Sequence, residues 1–196
     1  GEGWQMIFDI QYAPSNPNTV YFVNDTVGVW KSIDGGTSWQ EKAGNYPANG
    51  GLSLTIDPTN ENIVYVAGSS HTTNPSAPEL AGSVEGIFRT TDGGGTWTLF
   101  KQAHFHRKYA RGKHIAFAGT NMYAAPSTGG ILKSTDGITW NLLNKSGGGY
   151  VLDLLNLYNI SAHPTNNSIL FVSTIDGLYK IVDSGGSATV TKIGTG

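Results

Sequence analysis

Three short segments of the sequence each carry an aspartate in a run of small residues that ends on a tryptophan. They are KSIDGGTSW, RTTDGGGTW and KSTDGITW, and their aspartates are Asp34, Asp92 and Asp136. Such a segment could be a metal loop, a phosphate cradle or a tight turn. A calcium loop needs several more oxygen ligands at alternating positions, and each segment supplies one carboxylate followed by small residues. The sequence therefore predicts a hairpin turn whose backbone N–H groups donate to the aspartate.

The pattern S/T-x-D-x-G-x-S/T-W, called the box below, also predicts what its other residues do. Its glycine is expected to take the positive φ that a tight hairpin requires. Its tryptophan is expected to return into the core between neighbouring sheets, where it buries about 200 Å². The third box is one residue shorter than the others, so its turn is expected to be tighter. The structural residues are therefore predicted to be Asp34, Trp39, Asp92, Trp97, Asp136 and Trp140.

A second group of chemically capable residues lies in KQAHFHRKYARGKH, residues 101–114. This segment holds five of the twelve Lys and Arg residues and three of the five His residues. A basic loop on a mildly acidic chain is suited to carboxylates, phosphates or an acidic partner, and it is equally compatible with a solvated loop. His104 and His106 could share a metal, but no third ligand is evident. The candidate ligand-binding residues here are His104, His106, Arg107, Lys108, Tyr109 and Arg111.

Tyrosines on the predicted connections between sheets are the third group. Tyr46, Tyr109 and Tyr150 could stack on sugar rings, and each could equally pack against a neighbouring loop. These residues lie in connections of variable length, which is where binding residues concentrate on rigid scaffolds.

Composition restricts the fold class and the partners. The 196 residues include 27 Gly, 9 Tyr and 5 Trp with 13% charged residues, which favours short strands and tight turns and predicts an all-β protein. A net charge of −2 offers no general attraction to nucleic acid. Cysteine is absent, which excludes disulfides and thiolate sites. No apolar run is long enough for a membrane span, and no cofactor is predicted.

The boxes belong to a repeat of the whole chain. A degenerate fourth copy, GLYKIVDSGG, places Asp183 in the same frame, and the aspartates are separated by 58, 44 and 47 residues. Each copy contains four strand-like runs, and a strand-rich period of this length is typical of a propeller blade. The sequence predicts one β-propeller segment over residues 1–196, built of four four-stranded antiparallel blades at about 4–44, 50–102, 113–145 and 151–194.

These boxes resemble the Asp-box (BNR) repeats of sialidases, sortilin-type receptors, a photosystem II assembly factor and xyloglucanase-type glycoside hydrolases. The runs PSNPNTVYFV and PTNENIVYVAG beside a box are most similar to the xyloglucanase-like branch. The resemblance covers nearly the whole chain, but it is far more specific for fold than for function. Such propellers have six or more blades, so the resemblance implies that further blades or a partner chain complete this one.

The same resemblance singles out Asp25 in FVNDTVGVWKS. The segment is similar to the Thr-Asp-Val-Gly-Gly stretch that carries a catalytic carboxylate in xyloglucanase-type hydrolases, although Asn24 and Val27 depart from it. An inverting glycosidase needs two carboxylates, a general acid and a general base. The family's second carboxylate comes from the latter half of the fold, so this chain alone is predicted to be inactive. A turn aspartate is the other interpretation of Asp25, and it is the interpretation that the Asp-Gly pair in STIDGLYK favours for Asp176.

The expected function is therefore polysaccharide binding or inverting glycoside hydrolysis in the xyloglucanase-like manner, by an extracellular or cell-surface protein of bacterial origin. The expected partner is a polysaccharide or a glycoprotein. The alternative is a non-catalytic propeller for protein interaction, adhesion or assembly. Because an open set of blades leaves its first and last faces bare, apolar residues there are expected to be exposed. They are Phe8, Ile10, Leu170 and Val172.

Overall fold

The computed structural model describes residues 6–25, 28–48, 50–69, 84–105, 112–127, 129–152 and 156–193. In these ranges the chain forms sixteen strands in four antiparallel sheets of four strands each. The all-β fold and the four four-stranded sheets predicted from the repeats are confirmed. Helices are absent from the described ranges, which therefore contain no helix capable of crossing a membrane.

In every sheet the strands are hydrogen-bonded in the order in which they follow in the chain, so each sheet is an up-and-down meander. All sixteen strands lie within the four blade ranges predicted above. They are β1 (Ile7–Ala13), β2 (Asn16–Asn24), β3 (Val29–Ser32), β4 (Gln40–Glu41), β5 (Gly50–Ile56), β6 (Val64–Ser69), β7 (Gly86–Thr90), β8 (Thr98–Gln102), β9 (Ile115–Ala118), β10 (Asn121–Ala124), β11 (Leu132–Ser134), β12 (Asn141–Leu142), β13 (Leu157–Ala162), β14 (Ile169–Thr174), β15 (Gly177–Asp183) and β16 (Ala188–Ile193).

The chain divides into two compact units, Gly1–Gln102 and Ala103–Gly196. The first unit contains sheets β1–β4 and β5–β8, and the second contains sheets β9–β12 and β13–β16. The sequence analysis predicted one segment over residues 1–196.

The core of the first unit lies between its two sheets. Alternate side chains of β2, Tyr21 and Val23, are fully buried against the second sheet, as period-two alternation requires of a strand with one covered face. The second sheet contributes buried branched residues to the same cluster. They are Leu54, Ile56, Val64 and Val66.

The core of the second unit corrects one prediction. Leu170 and Val172 of β14 are fully buried in a cluster with Ile160 and Ile181, so they do not lie on a bare face. Their side chains point toward the sheet β9–β12, and the opposite side of β14 carries Phe171, which is half-buried. The sequence shows which residues share a face, but not which of the two faces a neighbouring sheet covers.

The outer face of the first sheet does carry exposed apolar residues. Ile10 is 51% exposed, and its cross-strand partner Phe22 stacks on Trp30 with ring centroids 5.8 Å apart. Trp39 packs edge-on against Phe22 at 4.8 Å and stays half-buried, so the prediction that it enters the core between sheets is wrong. The expectation of a bare first face is confirmed for Ile10, whereas Phe8 is half-buried.

The boxes are hydrogen-bonded turns, as the sequence predicts. In the second box, Asp92 Oδ1 accepts from the Thr96 N–H at 2.9 Å and the Thr90 hydroxyl at 2.7 Å. The Thr90 hydroxyl oxygen accepts in turn from Gly94 N–H at 2.9 Å. Glycines at positive φ follow the aspartates of all three boxes. The tryptophans of the second and third boxes, Trp97 and Trp140, are buried.

The third box is tighter than the other two. Asp136 Oδ1 accepts from both Ile138 N–H and Thr139 N–H, at 2.8 and 2.7 Å. The Ser134 hydroxyl is reached by the amide three residues later, Gly137, where the first two boxes use the amide four residues later. With one residue fewer, the amides that donate to Ser134 and Asp136 lie one position nearer along the chain than in the other boxes, as expected.

The fourth copy differs in the role of its aspartate. Asp183 is the last residue of β15 and is buried, whereas the box aspartates are exposed. Its Oδ2 accepts from the Tyr123 hydroxyl at 2.6 Å and from the Lys133 ammonium at 2.5 Å. Burial raises the pKa of this carboxyl, but the bonds from Lys133 and Tyr123 outweigh burial and hold the pKa below its ordinary value. Asp183 therefore ties the last sheet to the preceding one rather than closing a box.

Replacing Asp92 by alanine should destabilise the fold without affecting any ligand at a distance. The exposed carboxylate accepts hydrogen bonds from its own turn, so we expect Asp92→Ala to lower the free energy of unfolding by about 1 kcal/mol in urea titrations. Calcium-dependent melting that disappears in this variant would contradict the turn assignment.

The contribution of this box should also depend on pH. Hydrogen bonds from Thr96 and Thr90 lower the pKa of Asp92 from 3.8 to about 2. A depressed carboxyl pKa stabilises the folded state above the unfolded pKa and loses that effect as pH falls through the folded pKa. The stability difference between wild type and Asp92→Asn should therefore be constant at neutral pH and shrink between 3.8 and about 2.

Candidate functional site

The connections of each sheet lie at two ends. The β1–β2 turn and the first box touch, since Gly35 N–H donates to the Asn18 carbonyl at 2.9 Å. In the second sheet Gly93 N–H donates to Asn62 in the same way at 3.0 Å. The described ends of the β2–β3 and β6–β7 connections therefore lie at the opposite end of the sheets, called the loop end.

Asp25 lies at the loop end of the first unit, directly after β2. Its side chain is 7% exposed, and Oδ1 accepts from Met6 N–H at 3.1 Å. Its own N–H donates to the Met6 carbonyl at 3.2 Å. Both bonds hold Asp25 against the start of β1, so the carboxylate has a defined position.

Tyr46 is packed beneath the same end. Its ring meets Phe88 and Trp97 edge-on, with centroids 4.9 and 5.4 Å away, and its hydroxyl donates to the Gly50 carbonyl at 3.2 Å. Burial raises the pKa of the hydroxyl. Of the two interpretations of this tyrosine, packing is the one that these contacts favour.

Gly50 brings Asp25 and Tyr46 together. A Cβ atom on Gly50 would lie 2.6 Å from the Asp25 carbonyl oxygen, so the two backbones touch. The Gly50 carbonyl is also the acceptor of the Tyr46 hydroxyl. Tyr46 is therefore a residue that positions the Asp25 backbone through Gly50.

Polar residues that the sequence analysis did not single out lie at or near the same end as Asp25. Asn24 and Ser69 end the apolar strands β2 and β6 and are 2% and 7% exposed, and Ser53 is fully buried. Glu85 directly precedes β7 at this same end and is half-buried. Polar residues at the loop-end termini of apolar runs were the available sequence signal. Buried polar groups need partners, and each of these residues makes at least one interaction within the chain, so this end is a candidate site by its concentration of polar groups.

The candidates of the second unit are not brought together by any described contact. His104 is exposed, and its carbonyl accepts from Ser127 N–H at 2.8 Å. Tyr150 is 45% exposed and pairs through its backbone with Asn144. The remaining candidates of the basic segment lie outside the described residues. They are His106, Arg107, Lys108, Tyr109 and Arg111.

Asp176 occupies the β14–β15 turn at the loop end of the second unit. The Tyr179 hydroxyl donates to its Oδ2 at 2.6 Å and the Lys192 ammonium to its Oδ1 at 3.0 Å. These bonds, that from Tyr179 first, lower the pKa of Asp176. The interpretation as a turn aspartate agrees with this exposed, locally paired arrangement.

No metal centre is evident in the part of the chain that the structure describes, where no three His, Asp or Glu side chains converge. What the loop end of the first unit offers instead is a fixed, mostly buried carboxylate beside amide and hydroxyl side chains. Such a set accepts and donates hydrogen bonds with neutral hydroxylated ligands.

The comparisons with known proteins place the fold and leave the function open. No protein-family model matches the chain, and no curated protein matches its sequence. The GH74 xyloglucanase of Xanthomonas campestris matches in structure with a TM-score of 0.69 at 14% identity, over 97% of this chain and 30% of that one. The GH74 enzyme of Niastella koreensis gives 0.67 at 21% identity, over 95% and 30%. YCF48 bound to D1 peptide gives 0.54 at 16% identity, over 96% and 54%.

These similarities show a β-propeller fold shared with larger proteins. The chain spans about a third or less of the length of the GH74 enzymes that it matches. The similar structures include GH74 xyloglucanases and a protein bound to a peptide, so the fold alone does not identify the function.

Substituting Gly50 should disturb the candidate site through the backbone. A methyl group there would overlap the carbonyls of Asp25 and Asn24, at 2.6 and 2.8 Å. We expect Gly50→Ala to lower the free energy of unfolding by about 2–4 kcal/mol. In the matched control, Gly186→Ala, the new methyl group meets no atom within 4 Å, so its stability in urea should equal that of wild type. Equal stability of the two variants would contradict the close approach.

Proposed function

We propose that this chain is a carbohydrate-binding β-propeller segment of an extracellular bacterial protein, with its ligand at the loop end of the first unit. The observation that carries the proposal is Asp25, a largely buried carboxylate that the backbone of Met6 holds in position at that end. A preorganised carboxylate is a strong acceptor for sugar hydroxyls, because charged hydrogen bonds are stronger than neutral ones.

The similarity to GH74 enzymes supports this ligand class by fold, and the segment around Asp25 supports it by sequence. Hydrolysis of a glycosidic bond has a further requirement. Inversion requires a general acid and a general base about 6.5–9.5 Å apart. In the resemblance that singles out Asp25, the other carboxylate lies in the latter half of the family's fold. We therefore propose that the chain alone binds and does not hydrolyse.

Binding is tested on a glycan array with wild type, Asp25→Asn and, as a matched control, Asp34→Asn at the opposite end of the same sheet. If Asp25 accepts a sugar hydroxyl, its conversion to a neutral amide should weaken binding about tenfold. Asp34→Asn should bind like wild type. Because Asn keeps an oxygen acceptor for Met6 N–H, the fold should survive, which circular dichroism checks.

Other outcomes of the array overturn the proposal. Binding that is unaffected in Asp25→Asn but lost in a triple-alanine variant of His104, Arg107 and Lys108 would move the site to the basic segment. Binding of no glycan by wild type would favour a protein-interaction propeller. Release of reducing sugar by wild type that disappears in both Asp25→Asn and Glu85→Gln would show that the chain is a hydrolase by itself.

The second candidate function is a non-catalytic interaction propeller. It is favoured by the outer face of the first sheet, where Ile10 and Tyr12 are 51% and 61% exposed beside the stacked rings of Phe22 and Trp30. Exposed apolar surface of this kind marks a contact with another protein surface or a further blade. One protein of this fold, YCF48, has been seen bound to a peptide.

This face should make the isolated chain self-associate. We expect wild type to form dimers or larger species in multi-angle light scattering, and Ile10→Glu/Tyr12→Glu to shift it toward monomer. Ile33→Glu is the matched control, since Ile33 is 71% exposed in the first box and should leave association unchanged. A wild-type chain that stays monomeric at high concentration would contradict the assignment of this face as a contact surface.

A further inference from the structure

A pocket lined by both polar and apolar residues opens in the second unit, at the end of the sheets that carries the boxes, called the box end. It lies between the third box and the hairpin that joins β15 to β16, and its volume is about 420 Å³. This size is within the range of small-molecule sites, about 300–1,000 Å³. Its lining includes Asp136 of the box, Asn141 and Asn144 beside β12, and Gly185 and Gly186 of the hairpin.

The pocket exists because the fourth copy lacks a full box. In the first unit the second box packs closely on the preceding sheet, since Cβ atoms on Gly93 and Gly94 would lie 2.7 Å from Lys31 Nζ and 2.6 Å from Lys42 Cβ. In the second unit the corresponding hairpin is a short turn with Ser184 N–H donating to Ser187 O at 3.0 Å. Cβ atoms on Gly185 and Gly186 would meet no atom within 4 Å, so the space filled in the first unit is open.

The pocket keeps an unneutralised negative charge. Bonds from the Thr139 and Ile138 amides hold the pKa of Asp136 well below its usual range, so its carboxylate is ionised at any physiological pH. Lys133 also lines the pocket, but its ammonium is paired with Asp183 at 2.5 Å and does not neutralise Asp136. The negative charge disfavours a small anion, and a divalent metal ion would need several more oxygen ligands than this one carboxylate.

The remaining groups suit a neutral ligand with many hydroxyls. Asn141 and Asn144 offer both amide donors and carbonyl acceptors, and Asp136 accepts at its side chain. Leu142 adds an apolar wall. A sugar ring combines hydroxyls on its rim with an apolar C–H face, and it matches this mixture better than a charged metabolite does.

We propose that this pocket binds a single sugar ring, with neighbouring hydroxyls donating to Asp136 and exchanging hydrogen bonds with Asn141 and Asn144. It lies at the box end, whereas Asp25 lies at the loop end of the other unit. The inference therefore goes beyond the proposed function and stands or fails separately from it.

The test fills the pocket without touching the box. Gly186 lines the pocket, lies outside the left-handed region and has open space at its Cβ position, so Gly186→Trp places an indole there without backbone strain. Gly186→Ala is the matched control, because a methyl group leaves most of the volume open. Each protein, uniformly labelled with nitrogen-15, is titrated with methyl β-glucopyranoside, methyl α-mannopyranoside and methyl β-galactopyranoside, and amide shifts are followed by NMR.

At least one probe should produce saturable shifts in wild type and Gly186→Ala at Asn141, Asn144 and Gly185. Gly186→Trp should weaken that binding by about tenfold or more, and Asn141→Ala should weaken it by about fivefold through loss of one polar partner. Asp34→Asn, in the first box, should bind the probe like wild type. Absence of saturable shifts with all three probes overturns the proposal, as does binding that Gly186→Trp leaves unchanged while its spectrum shows a folded protein.

Discussion

The rest of the structure depends on the hydrogen-bonded turn between the third and fourth strands of a sheet. Its aspartate and its Ser or Thr hydroxyl together satisfy amides that a tight turn otherwise leaves without partners. The turn in turn determines where the tryptophan after it goes. Trp97 donates from Nε1 to the Lys42 carbonyl at 2.8 Å, and its N–H donates to Asn45 Oδ1 at 2.7 Å. One turn therefore orders its own sheet and anchors it to the preceding sheet of the first unit.

The two ends of each sheet differ in how their polar groups are used. At the box end, the aspartate and the hydroxyl of each box accept hydrogen bonds from amides of their own turn, and the turns serve the fold. At the loop end of the first unit, buried polar side chains such as Asn24, Asp25 and Ser69 accumulate instead. Where the box is lost, in the fourth copy, a buried carboxylate at Asp183 replaces it through bonds to Tyr123 and Lys133, and a pocket opens beside it. The pocket thus lies where the sequence departs from the repeat.

The repeat predicted the sheets and their strand order because every copy contains the same four runs and the same turn chemistry. It did not predict which face of a terminal sheet is covered, because alternation is symmetric between the two faces. Leu170 was expected to be exposed and is buried, whereas Trp39 was expected in the core between sheets and is half-buried.

A further regularity was present in the sequence but did not enter the prediction. A tyrosine of the second strand faces a basic residue of the third in three sheets, with Lys31 5.2 Å from the Tyr21 ring, Arg89 5.5 Å from Tyr65 and Lys133 5.8 Å from Tyr123. Asp25 was identified by its surroundings in the sequence, whereas its burial and its bonds to Met6 depend on long-range pairing that no local pattern encodes.

The most direct test of the account is amide hydrogen exchange of the wild-type chain with and without the tightest-binding glycan. The account predicts slower exchange on binding at the loop end of the first unit, in the amides of Asn24, Asp25 and Gly28 and in those of residues 50–53. Amides of the first and second boxes should be unchanged. Protection from exchange that is confined to those boxes, or to the second unit, would contradict the claim that this chain binds a carbohydrate at Asp25.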